Sequence, residues 1–256
     1  MNTQGSVTLV GAGPGDPELL TIKAVRAIER ADVLLIDDLV NPQVLDYAPA
    51  RARVVHVGKR GGCASTPQEF IERLMVAEAR AGHHVVRLKG GDPYMFGRGG
   101  EERATLRAQG IAVDVIPGIS SGLAAPTSIG VPVTHRSWSQ GATFVTGHGK
   151  DAASEPNWQA LAQSRLTLVI YMGVARVESI VAGLLAGGAA HDTPVAVVQA
   201  ATRENQRQLL TTLAQLPQAL RKSGLGSPSI IVVGDVVRCA DDWQDLAGAA
   251  PLQASA

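Results

Sequence analysis

The chain has 256 residues, 45% of them hydrophobic and 18% charged, which suits a sizeable buried core and excludes general disorder. Aromatic residues make up only 4%, and 23 basic side chains balance 23 acidic ones, so neither an aromatic platform for single-stranded nucleic acid nor bulk duplex binding fits. The balance is uneven along the chain: residues 1–50 hold 3 basic and 7 acidic groups (−4), 51–136 hold 12 and 7 (+5), and 137–256 hold 8 and 9 (−1), so the basic middle third points to a local anion site.

In chain order, Val7–Val10 reads as a strand ending at Gly11, and Asp16-Pro17 as the N-cap and first turn of a helix running to about Arg30. Val33–Ile36 is the next strand, Asn41-Pro42 opens a short helix, and Val54–Val57 is a third strand. Thr66-Pro67-Gln68-Glu69 has the form of a capping box for a helix ending near Gly82. Val85–Leu88, a helix over Glu101–Gln109 stopped by Gly110, and a strand over Ala112–Ile116 complete a βα alternation, hence a mostly parallel sheet covered by helices. A second set follows the Pro- and Gly-rich stretch 117–134, which reads as a hinge or cleft segment. Its strands are Ala142–Thr146, Leu166–Tyr171, Val195–Gln199 and Ile230–Val233, with helices around Val177–Leu185 and Leu213–Lys222. The expected architecture is two α/β lobes with mainly parallel or mixed sheets, residues 1–118 and 119–256, and a ligand cleft between them.

Five special segments fall at the carboxyl ends of the first five strands, the edge where open parallel sheets bind ligands. They are Gly11-Ala12-Gly13-Pro14-Gly15-Asp16, Asp37-Asp38, Gly58-Lys59-Arg60-Gly61-Gly62, Gly90-Gly91-Asp92-Pro93 and Pro117-Gly118-Ile119-Ser120-Ser121. Glycine punctuation of βα turns explains any one of them, but less well five that also carry Asp, Lys, Arg or Ser. A dinucleotide fingerprint would need glycine at position 16, where Asp16 stands, and GxxxxGK[ST] does not occur, so nicotinamide and P-loop readings are disfavoured. Cys63 and Cys239 make no disulfide framework or cysteine zinc site. The start lacks signal-peptide regions, and the uncharged run Val115–Thr134 is broken by three prolines and three glycines, so a cytoplasmic, soluble protein is expected.

Together these motifs resemble the uroporphyrinogen-III C-methyltransferases of the tetrapyrrole methylase family. The resemblance rests on VGAGPGD at 10–16, VGKR at 57–60, the long run RLKGGDPYMFGRGGEE at 87–102, PGISS at 117–121, GVPVTHR at 130–136 and TGH at 146–148, and it covers roughly residues 6 to 238. It implies S-adenosylmethionine as methyl donor, leaving S-adenosylhomocysteine, and uroporphyrinogen III as an octacarboxylate acceptor. Methylation at ring positions 2 and 7 would give precorrin-1 and then precorrin-2, for sirohaem or cobalamin. A homodimer is implied too, with no metal, membrane or nucleic-acid partner.

Carried over residue by residue, the resemblance places the cofactor, in the cleft, on Pro14, Gly90, Gly91, Asp92, Met95, Ser120, Ser121, Met172 and Ala201. Met172 reads equally well as a core residue. The resemblance makes Asp37 the proton acceptor and Lys59 the donor; Asp38 stands where relatives often have Arg, which leaves open which of the two carboxylates is the base. The acceptor's carboxylates call for cations, and Arg60, Arg87, Lys89, Arg98, His135 and Arg136 are the candidates for substrate binding, each alternatively a structural ion pair. Two other readings stand beside this one: a sister methylase acting on a later corrinoid precursor, and a nucleotide-binding regulatory module.

Overall fold

The computed structural model describes residues 5–58, 66–148 and 155–243; Lys59, Arg60 and Cys63 lie outside them. The chain divides into two compact units, Met1–Ser121 and Gly122–Ala256.

The first unit is built on β1 (Ser6–Gly11), β2 (Val33–Ile36), β3 (Arg53–His56), β4 (His84–Lys89) and β5 (Ala112–Ile116), with helices α1 (Ile22–Ile28), α2 (Gln68–Arg80) and α3 (Gly99–Ala108). The sheet order is β3-β2-β4-β1-β5 and every pairing is parallel. Strand alternation divides the side chains between two cores. Val7, Leu9, Val33, Leu35 and Val85 pack with Ile71 and Met75 of α2 and Leu106 of α3, while Val10, Leu34, Ile36, Val86 and Leu88 pack with Ala24 and Ile28 of α1. Because β1 leads to β2 on one side and β4 to β5 on the other, the loops after β1 and β4 flank the point where chain direction across the sheet reverses, the expected ligand edge of such a sheet.

Two helix starts differ from the sequence reading. Asp16 does cap, accepting from Glu18 N at 2.8 Å, but the turn it opens is a 3₁₀ segment, Pro17–Leu19. Leu20 and Thr21 are extended, and Thr21 caps α1 afresh by accepting from Ala24 N. The capping box at 66–69 does not form: Pro67 is the N-cap of α2 and makes no side-chain cap bond. The helix therefore starts one residue later than the box requires, and Glu69 occupies its second position instead of its third.

The second unit carries β6 (Ala142–Thr146), β7 (Thr167–Tyr171), β8 (Pro194–Gln199), β9 (Arg207–Thr212) and β10 (Ser229–Val233), in the order β6-β7-β10-β8-β9. Only β6 and β7 are parallel. Its helices are α4 (Ser121–Thr127, the first residue of which belongs to the first unit), α5 (Trp158–Gln163), α6 (Val177–Ala186) and α7 (Leu216–Ser223). One apolar core joins Trp158, Ile170, Ile180, Leu184, Val195, Val197, Leu213 and Ile231. The stretch expected as a hinge contains α4, where Gly122 N donates to the buried Tyr171 hydroxyl at 2.8 Å. Among the described residues, no helix is long and apolar enough to cross a membrane.

Candidate active site

Three loops meet at the carboxyl edge of the first sheet. A Cβ on Gly118 would stand 2.3 Å from Gly91 O, and one on Gly11 would stand 2.4 Å from Gly118 N, so only glycine permits these backbones to approach. Gly13 and Gly91 exchange backbone bonds, Gly91 N donating at 2.7 Å and Gly13 N at 3.3 Å, and Ala12 N donates to Lys89 O. Asp92 staples the edge: one oxygen accepts from Gly118 N at 3.1 Å and the other from Tyr94 N at 2.8 Å. Pro14, Gly90, Gly91, Asp92, Met95, Ser120 and Ser121 are thus grouped in this set of loops. Asp92 also has a structural duty there that the sequence reading did not assign.

Asp37 continues the alternation of Val33 and Leu35, and its amide donates to Leu88 O, which extends the β2–β4 ladder by one residue. Its carboxylate therefore faces the same side as Arg87 and Lys89 of β4. Arg87 Nη2 donates to Asp37 Oδ1 at 2.5 Å, and Lys89 Nζ stands 3.9 Å from Asp37 Oδ2. Beneath them lies Glu102 of α3, fully buried. Its Oε1 receives Lys89 Nζ at 3.1 Å, Gln68 Nε2 at 3.0 Å and Arg87 Nε at 3.4 Å, while Oε2 has no hydrogen-bond partner among the described residues. Arg87 Nη1 donates to Leu88 O. Of the four charged groups, Asp37 alone is open to solvent, with a side chain 29% exposed against 4% or less for the others.

These contacts reassign two expected substrate ligands. Arg87 is 1% exposed with its donors committed to Asp37, Glu102 and Leu88 O, and Lys89 is nearly as enclosed. Arg87 is the mount of Asp37, and Lys89 is held behind it on Glu102, so neither faces an external anion. Burial pushes the Lys89 ammonium below the ordinary lysine value and the neighbouring Arg87 charge adds to this, with Glu102 and Asp37 opposing it. Asp38 is exposed and lies against Gly58, with no ion pair among the described residues. Glu102 escaped the sequence reading, although helical spacing from Gly99 to Leu106 sets it on the buried face of α3.

The remaining candidates are dispersed. Arg98 sits at the left-handed N-cap of α3 and is exposed, paired with Glu101. In the second unit, the His135 ring stacks on Trp138 at 4.5 Å and accepts from Ser137 N, and Arg136 is exposed. Met172, 50% exposed at the carboxyl end of β7, adopts φ 53°, an uncommon conformation for a residue with a side chain and one that clusters at ligand sites. Exposure of this kind is unlike the core residue that was its alternative reading. Ala201 is buried between Ala200 and Thr202, both with positive φ. A groove of about 610 Å³ in the same unit, lined by Trp138, Arg165, Thr167 and Leu184 among others, holds none of these residues.

An all-parallel sheet with a glycine-lined edge and one mounted carboxylate defines a site for a small ligand brought close to backbone. The chain belongs to the tetrapyrrole (corrin/porphyrin) methylases, whose family model matches residues 6–217. A uroporphyrinogen-III C-methyltransferase of Pseudomonas aeruginosa is 56% identical to it over 234 residues, 91% of this chain and 95% of the relative. Siroheme synthase 2 of Aeromonas hydrophila is 49% identical over 236 residues, 92% of this chain but 50% of that longer protein. The uroporphyrin-III C-methyl transferase of Thermus thermophilus, solved in complex with S-adenyl homocysteine, superposes with a TM-score of 0.78 at 40% identity, covering 91% of this chain and 94% of its own. The enzyme is accordingly an S-adenosylmethionine-dependent methyltransferase.

The residues present suit that cofactor. An adenosyl sulfonium needs close backbone approach and short side chains rather than a strong counter-charge, and the loops after β1, β4 and β5 offer that.

Proposed function

We propose that this enzyme methylates uroporphyrinogen III twice, at ring positions 2 and 7, giving precorrin-2 by way of precorrin-1 for sirohaem or cobalamin synthesis. The observation that carries the reading is the mounted carboxylate of Asp37 beside the glycine loops. Support for the acceptor comes from the 56% identical relative, which is named a uroporphyrinogen-III C-methyltransferase.

S-adenosylmethionine supplies an electrophilic methyl group. Pro14, Gly90, Gly91, Asp92, Met95, Ser120 and Ser121 are proposed to hold it, with Met172 and Ala201 as further contacts carried by the family resemblance. Since the sulfonium is already activated, the protein's work is to orient the donor and acceptor and to exclude water. When the methyl carbon bonds to the pyrrole carbon, its bond to sulfur breaks and the ring becomes cationic; the ring is neutralised by loss of a proton. Asp37 is the proposed acceptor of that proton. Its fixed place on Arg87, against an exposed Asp38 without such a mount, favours it over its neighbour. Lys59 as proton donor and Arg60 as a substrate cation belong to the same proposal, as do Arg98, His135, Arg136 and a homodimeric assembly.

The test is anaerobic incubation with uroporphyrinogen III and S-adenosylmethionine, followed by mass spectrometry of the tetrapyrrole. Gain of two methyl groups is expected. A single methyl would restrict the enzyme to precorrin-1, and no gain despite cofactor binding would send the assignment to later corrinoid precursors.

A further inference from the structure

Three buried charges beside a partly exposed fourth, Asp37, need a reason, because removing ions from water costs several kcal/mol each and apolar residues of similar volume often stabilise a core as well or better. Here two carboxylates and two cations form a closed set. Arg87 and Lys89 each lie near both Asp37 and Glu102, and the formal charges cancel. Three donors converge on one oxygen of Glu102, whereas its other oxygen has none among the described residues, so the arrangement does not maximise hydrogen bonding at Glu102 itself. What it does achieve is at the other end: Lys89 is drawn onto Glu102 at 3.1 Å and kept 3.9 Å from Asp37, while Asp37 takes the 2.5 Å bond from Arg87.

We propose that Glu102 is a positioning residue for Asp37: its buried carboxylate holds Lys89 and the Nε of Arg87, so that the Nη2 of Arg87 fixes Asp37 at the carboxyl edge of the sheet. This rests on the reading of Asp37 as the proton acceptor. Glu102 does not touch the substrate and acts through the two cations. With Glu102 neutral, two buried cations face a single carboxylate, and Asp37 moves toward Lys89. A displacement of about 1 Å at a reacting group is enough to cost on the order of 100-fold in rate.

The test compares wild type with Glu102→Gln and with the double variant Lys89→Met/Glu102→Gln, in which one cation again faces one carboxylate. In the crystal structure of Glu102→Gln, Asp37 is expected to leave Arg87 Nη2 and approach Lys89; an unmoved Asp37 overturns the proposal whatever the tetrapyrrole substrate is. In turnover, Glu102→Gln is expected to lower kcat at least ~30-fold, with KM and the affinity for S-adenosylhomocysteine within ~2-fold, and the double variant to recover kcat to within ~5-fold of wild type. A loss confined to KM, or a double variant as slow as the single one, contradicts it. If Glu102→Gln does not fold, the double variant decides: Asp37 on Arg87 with kcat near wild type supports the proposal, and a folded double variant with kcat lowered more than ~30-fold overturns it. Failure of the wild type to methylate uroporphyrinogen III would instead refute the substrate reading, and the position of Asp37 in the variant crystals would still decide the role of Glu102.

Discussion

The two units each carry a five-stranded sheet, but they handle polarity differently. In the second, β7, β8 and β10 deliver side chains to one apolar core, and the buried polar residues described there are the uncharged Ser139, Thr167 and Thr211. In the first, the apolar rows of β2 and β4 run out at their carboxyl ends into Asp37, Arg87 and Lys89, and α3 contributes Glu102. Every buried charged side chain among the described residues lies in the first unit. A core built for stability alone has little use for such a set, and the proposed role of Asp37 would give it one.

That contrast can be broken or sharpened by mutation. Leu184 of α6 is fully enclosed in the second core, so Leu184→Ala should cost about 2–5 kcal/mol in denaturant unfolding while turnover per folded molecule stays near wild type. A large loss of turnover at unchanged stability would blur the distinction. Gly118→Ala tests the edge of the first sheet: the added methyl meets backbone of Gly91 and Gly11, which cannot swing aside. It should cost about 1–3 kcal/mol and also depress cofactor binding, measured by calorimetry with S-adenosylhomocysteine.

The smallest effect belongs to His84, at the amino end of β4. Burial lowers its pKa, and its ring is in hydrogen-bond contact with the Ser6 hydroxyl at 2.9 Å. A depressed folded-state value means the unfolded chain binds the extra proton first. The stability His84 contributes is thus present above its unfolded value, about 6.5, and is lost as pH falls through the lower folded value. His84→Gln should flatten the fall in stability from about pH 7 to about pH 5 by less than ~1 kcal/mol, given solvent screening, leaving the carboxyl edge untouched.

Much of the scaffold is legible in the sequence because its strands are short apolar runs bounded by glycine, proline or charge. Val33–Ile36, Ala112–Ile116 and Ala142–Thr146 are found with the expected limits. β9 carries its only apolar residues side by side, Leu209-Leu210, and lies at a sheet edge, so it shows no period-two signal. Gly122 and Pro126 masked α4, because proline beyond the first turn removes a helical hydrogen bond and reads as a break. At the candidate site, glycines and charges after strands mark the carboxyl edge of the sheet, and that pattern makes Asp37 visible as a candidate. The orientation of Arg87 and Lys89 is not visible in this way: alternation places both on one face, but whether that face meets solvent or a carboxylate depends on Glu102, on a different element. A strand pattern read alone cannot supply that partner.

The central claim is that the charge set in the first unit exists to present Asp37 for proton removal. Single-turnover methyl transfer to uroporphyrinogen III, with wild type and Asp37→Asn compared at saturating S-adenosylmethionine, tests it most directly. The expected result is a rate at least ~100-fold lower for Asp37→Asn, with cofactor affinity within ~2-fold of wild type. Equal rates for the two proteins would contradict the claim and leave the buried charges without a catalytic purpose.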